Sequence, residues 1–164
     1  MSEEFYVHLN QYMKTHERFL GLVRLAERCI SAVVFISYPL FLIWCFQYNP
    51  SDLPKTIGIP LAGFLGVSAA RYFIGASRPY ERYPIAALIP KNTVHKSFPS
   101  RHVFSVFMLA ETYLYATTDA FALPFYAAGL VLAACRVLLG VHFISDVVVG
   151  MMVALFCGVL YYVL

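Results

Sequence analysis

A chain of 164 residues in which 60% are hydrophobic and only 13% charged cannot cover itself in water, because soluble domains carry about 25% charged residues. The length allows one domain, and a net charge of +3 gives no footprint for nucleic acid. The bilayer is therefore the expected solvent, and water-soluble globular classes drop out.

Residues 1–28 carry Glu3, Glu4, Lys14, Glu17, Arg18, Arg24, Glu27 and Arg28, too many charges for a cleavable hydrophobic signal core. Phe5, Leu9, Tyr12, Met13, Phe19, Leu20 and Val23 recur at helical spacing, so the segment is expected to be an amphipathic helix lying on the membrane surface. Residues 29–164 are expected to form the membrane domain. Five spans are predicted against the ~20 apolar residues that a crossing needs. They run over about 29–46, 57–77, 101–118, 121–139 and 141–164. The expected fold is thus all-α, a five-helix transmembrane bundle plus the interfacial helix.

The one long connection, 78–100, holds prolines at 79, 84, 90 and 99, and a long loop in so short a chain usually carries function. Gly63, Gly66 and Ala70 in the second span, Gly129, Ala133, Arg136 and Gly140 in the fourth, and Gly150, Ala154 and Gly158 in the fifth form small-residue faces, which let helices approach closely in lipid. Cys29, Cys45, Cys135 and Cys157 lie in apolar runs without ligand spacing and read as core residues. Trp44, Tyr48, Tyr113, Tyr115, Tyr161 and Tyr162 read as an aromatic belt, and His8 and His95 as ordinary interfacial residues. Glu111 lies nine residues past His102, about 13 Å deeper along a helix, and is expected to partner a polar group on another helix or subunit.

Charge inside a span is costly and points to function. If the chain alternates across the membrane, Arg71, Arg78, Arg101, His102, Arg136, His142 and Asp146 meet at one face from four helix ends. Guanidinium forks suit phosphate oxygens. Ser100, after Pro99, sits at a helix N-cap whose following amides favour an anion. His142 and Asp146 are one helical turn apart, so the carboxylate can hold one imidazole nitrogen and leave the other to attack. His102 can donate a proton to a leaving oxygen. No metal or cofactor is expected, since the arginines would repel a cation.

These segments resemble the three signature motifs of the type 2 phosphatidic acid phosphatase (PAP2) superfamily. The first, Lys-x6-Arg-Pro, is matched by Arg71 and Arg78-Pro79; the second, Pro-Ser-Gly-His, by Pro99-Ser100-Arg101-His102; the third, Ser-Arg-x5-His-x3-Asp, by Cys135-Arg136, His142 and Asp146. The resemblance implies a metal-independent, two-step lipid phosphatase. His142 is its nucleophile, Asp146 orients it, and His102 is the acid. Arg71, Arg78, Ser100, Arg101 and Arg136 bind phosphate. The substrate class it implies is a phosphatidic acid-type monoester or a polyprenyl, for instance undecaprenyl, diphosphate. A lipid phosphotransferase is the alternative enzyme, and a catalytically silent membrane protein or transporter the alternative of another class. A homodimer is an admissible assembly. Arg71 in place of Lys keeps the charge, so Arg71→Lys is expected to retain activity, and Cys135 in place of Ser to be tolerated. Arg101 in place of Gly either adds a phosphate contact or turns to a lipid headgroup. The expected location is the cytoplasmic membrane. The family's usual outward-facing site sets the expected orientation against a positive-charge count that favours the cytoplasm.

Overall fold

The computed structural model describes residues 2–90, 94–117 and 119–164. Its described residues form helices and connecting loops without a strand. Helix α1 spans Glu3–Thr15 and α2 spans Glu17–Tyr48. The break at His16 divides the expected 1–28 helix in two, so the boundary at residue 28 falls inside α2. That helix rises about 48 Å over its 32 residues, more than the ~30 Å hydrocarbon core. Crossing a bilayer, it would leave several turns projecting beyond the hydrocarbon core.

Part of the apolar stripe of this segment is buried against the protein. Tyr6, Asn10 and Met13 are the buried residues of α1. Met13, Leu20 and Val23 join Leu88, Cys135, Leu139 and Val141 in one core cluster. Phe5, Tyr12 and Phe19 remain exposed. The N-terminal segment thus packs against the protein through one side and leaves the other exposed.

A 3-10 turn at Pro50–Asp52 leads into α3, Leu53–Ile74. Gly75 ends α3 with φ +59°, the left-handed conformation that closes many helices. The short helix α4, Pro79–Arg82, follows within the long loop. Then come α5 (Arg101–Ala116), α6 (Asp119–Leu138) and α7 (Ile144–Val163). The expected third-span limit, Thr118, lies outside the described residues. Among the described residues, four stretches are long and apolar enough to cross a membrane, Glu17–Tyr48, Pro50–Arg82, Ala120–Leu138 and Ile144–Val163.

Helix α5 is the axis of the bundle, packed by α2, α3, α6 and α7. Glycine notches set these contacts. A Cβ on Gly63 would stand 2.8 Å from the Phe104 ring, one on Gly129 2.7 Å from Phe107, and one on Gly150 2.7 Å from the Ser100 carbonyl. Gly158 makes room for the Glu111 carboxylate, which would collide with any side chain there. Gly66 has open space around it and takes no part in packing, contrary to expectation. Glu111 finds its partner on α6, where the Tyr126 hydroxyl donates to its Oε1 at 2.5 Å. Tyr113 and Tyr161 are core residues rather than part of a belt, while Trp44, Tyr48 and Tyr162 are exposed. The four cysteines are unpaired thiols.

Candidate active site

The turn between α6 and α7 places His142. Gly140 adopts φ +69°, its amide donates to the Val137 carbonyl at 2.9 Å, and the Val141 amide donates to the Arg136 carbonyl at 3.3 Å. That pair of bonds is a Schellman closure, which satisfies the last carbonyls of α6 and reverses the chain at Gly140. His142 therefore precedes α7 rather than lying on it. Asp146, in the first turn of α7, reaches back to accept from the Phe143 amide at 2.9 Å, as an acidic residue at the third helical position does.

The same carboxylate oxygen faces His142 Nδ1 at 3.3 Å and accepts from the Ser97 hydroxyl at 2.5 Å. With Nδ1 turned to an acceptor, the proton belongs there and Nε2 keeps its lone pair. His142 and Asp146 are both 2% exposed. Burial pulls the His142 pKa below the ordinary imidazole value; the hydrogen bond to Asp146 opposes this, and the positive charges of Arg136 and Arg78 add to the lowering. A neutral imidazole, held by a carboxylate on one side and ready on the other, can act as a nucleophile.

Arg71 and Arg78 clip the long loop to this pair. Arg71 donates from Nη1 to the carbonyls of Ser97 (3.0 Å) and Pro99 (2.6 Å), and from Nη2 to that of Lys96. Arg78 donates to the same Lys96 carbonyl at 3.2 Å and to the Val141 carbonyl, next to His142, at 2.9 Å. Both arginines are buried. Glu81 gathers the loop further, accepting from the backbone amides of Arg78 (3.1 Å) and His95 (3.1 Å).

Ser100 is the N-cap of α5. Its amide donates to the Asp146 carbonyl at 2.9 Å, and its hydroxyl is buried with no partner among the described residues. Gly150 permits this approach of α5 to α7. Arg136 is fully buried, with Nη1 on Glu27 Oε1 at 2.8 Å, while its Nε and Nη2 have no partner among the described residues.

His102 and Arg101 sit on the outer side of α5. They line a groove of about 540 Å³ with Phe35, Phe64, Ser105 and Leu132, and the Arg101 guanidinium lies over the Phe64 ring at 5.7 Å. A second, apolar groove of about 400 Å³ adjoins it, sharing Val34, Phe35, Phe64 and Ser105 and continuing to Leu42, Ile57 and Met108.

Ser97 and Glu27 were not among the residues expected at the site. Ser97 bears no spacing relation to the histidines. Glu27 had one available signal: a buried arginine in a span needs a carboxylate, and Glu27 is the last acid before the first apolar run. Among the described residues, no group of three or more His, Cys, Asp and Glu could hold a metal ion.

A membrane-type helical bundle that gathers buried arginines and a His–Asp pair at one helix-end surface defines the class of protein. The PAP2 superfamily profile matches residues 56–164, and the chain belongs to that superfamily. The fold is similar to the crystal structure of Aquifex aeolicus LpxE, with a TM-score of 0.77 at 20% identity over 98% of this chain and 94% of that one. It is also similar to the transmembrane PAP2-type phosphatidylglycerolphosphate phosphatase of Bacillus subtilis, with a TM-score of 0.63 at 17% identity over 96% and 90%. A search of curated proteins finds no significant match.

Proposed function

We propose that this protein is a membrane lipid phosphatase working through a phosphohistidine on His142. The observation that carries the reading is the buried His142–Asp146 pair at 3.3 Å, with Nε2 left to attack among Arg71, Arg78 and Arg136. Nε2 attacks phosphorus, the P–N bond forms, and the P–O bond to the lipid breaks. His102 gives its proton to the departing oxygen. Water, giving a proton to the now neutral His102, then attacks phosphorus, the P–N bond breaks, and inorganic phosphate leaves with both histidines restored. Arg71, Arg78, Arg101, Arg136 and the Ser100 N-cap region stabilise the charge spread over the phosphoryl oxygens, which is the main demand of phosphoryl transfer. No step calls for a metal ion.

The grooves support a lipid rather than a soluble ester. From His102 the apolar lining follows α5 through Ser105 to Met108. A chain attached to the leaving oxygen would therefore run into the hydrocarbon core between α2, α3 and α5. Helix α5, with its N-terminus at the site, serves as the third of five spans in a multi-pass protein of the cytoplasmic membrane. Candidate substrates are a phosphatidic acid-type monoester and a polyprenyl diphosphate.

The test is phosphate release by the purified protein in detergent, from a panel of lipid monophosphates and diphosphates, with EDTA and with orthovanadate. Release that persists in EDTA and stops with vanadate is the expected result. A protein that releases phosphate from no member of the panel, or only after zinc or magnesium is added back, sinks the reading.

A further inference from the structure

The Arg136 guanidinium is unevenly used. It is fully buried, and its Nη1 end is taken by Glu27 at 2.8 Å. Nε and Nη2, by contrast, have no partner among the described residues. Those two nitrogens are adjacent on one edge of the planar group and point their hydrogens in parallel, the geometry that receives two oxygens of one phosphate. A buried donor without a partner costs stability, so this edge suits an anion. Arg136 also bears electrostatically on His142, so the guanidinium lies within charge range of the nucleophile.

Glu27 reaches this guanidinium from another element. It lies on α2, 109 residues away in sequence. The neighbouring Arg24 fastens the same stretch of α2 by donating to the Leu88 carbonyl at 2.8 Å. The carboxylate therefore arrives on a held helix. It can fix the rotation of the guanidinium about its long axis, which a single hydrogen-bonded end does and bulk solvent does not.

We propose that Glu27 is a positioning residue for the reaction: it holds the Nη1 end of Arg136 so that the Nε–Nη2 edge faces the phosphoryl group, and its negative charge tempers how tightly the site holds a phosphate dianion. This rests on the phosphatase reading above for its substrate, though not for its test. Two consequences separate it from simple charge neutralisation of a buried arginine. Removing the charge while keeping the acceptor tightens anion binding; removing the acceptor degrades turnover.

The test compares wild type, Glu27→Gln, Glu27→Ala and Arg136→Ala in detergent, reading thermal stabilisation by orthovanadate alongside kcat and KM on the best lipid phosphate. Glu27→Gln should bind vanadate roughly tenfold more tightly, as loss of a nearby like charge predicts, and should turn over faster than Glu27→Ala. Glu27→Ala should lose kcat at least tenfold relative to Glu27→Gln, and Arg136→Ala should lose vanadate binding. If Glu27→Ala does not fold, the vanadate affinity of Glu27→Gln decides alone. The inference is overturned if that affinity equals wild type, if Glu27→Ala turns over as fast as Glu27→Gln, or if Arg136→Ala binds vanadate as wild type does. A wild type that binds vanadate yet releases no phosphate would sink the phosphatase reading and leave the binding comparison decisive for Glu27.

Discussion

His142 and His102 stand in opposite surroundings, one buried behind Asp146 and the other on the exposed side of α5, and the leaving group separates their roles. His142→Ala should be inactive on every substrate. His102→Ala should lose most activity on lipid alkoxides and far less on nitrophenyl phosphate, whose leaving group departs without a proton; equal damage to both substrates removes the acid role. Because burial lowers the His142 pKa, the neutral nucleophile persists to lower pH than an ordinary imidazole. Activity on nitrophenyl phosphate should therefore lose its acid limb only below the usual histidine value of about 6.5, and a limb above that value contradicts the burial argument. Arg71 changes an expectation drawn from sequence. Charge alone suggested that lysine would serve, but the fork holds three loop carbonyls at once, and an ammonium cannot span them. Arg71→Lys should lose about tenfold or more in kcat/KM, the scale of one or two charged hydrogen bonds; wild-type activity would show that only the charge matters. The reacting pair was legible because its spacing is set by one turn of chain. Ser97 was not, since a serine in a proline-rich loop advertises nothing until the loop folds onto Asp146.

At the level of elements, the contact between α5 and α7 fixes the site. Gly150 lets the Ser100 backbone lie against α7, where its amide meets the Asp146 carbonyl. Gly150→Ala puts a methyl group 2.7 Å from a backbone oxygen, which cannot swing aside as a side chain can. The variant should be destabilised by about 1–3 kcal/mol and lose turnover through displacement of Ser100. Gly66→Ala, with open space around it, should match wild type in detergent melting and in kcat; a similar loss in both variants would make backbone propensity, not the contact, the cause. The small-residue stripes of α6 and α7 were readable in advance because close packing in lipid demands them. Which face of α3 packs was less readable, as Gly63 and Gly66 differ by less than a turn and only Gly63 meets an aromatic ring. The N-terminal segment misled for a related reason. Its apolar stripe has helical period, yet period alone does not tell a lipid-facing stripe from one covered by the protein's own loop.

For the whole molecule the open variable is which way the bundle faces. The site face carries Lys14, Arg18, Arg24, Arg28, Arg71, Arg78, Arg82, Lys91, Lys96, Arg101 and Arg136, the other only Lys55, and positive residues favour the cytoplasm. The structure discounts much of that excess. Arg71, Arg78 and Arg136 are buried in the site, Arg24 is spent on Leu88, and Arg101 lies over Phe64. Arg82 and Lys96 rest on the rings of Tyr83 and Tyr72, and Lys91 lies outside the described residues. What remains is mostly on α1 and the first turns of α2, where Lys14, Arg18 and Arg28 can bind anionic headgroups of either leaflet. The charge rule thus loses most of its force, and the family's usual arrangement, with the site outside, stands as our expectation. Val94 is exposed in the site-face loop, 63% accessible. A Val94→Cys variant in a background without Cys29, the one exposed native thiol, reports the side directly. Intact cells should label with an impermeant maleimide, and labelling that begins only on lysis would place the site in the cytoplasm.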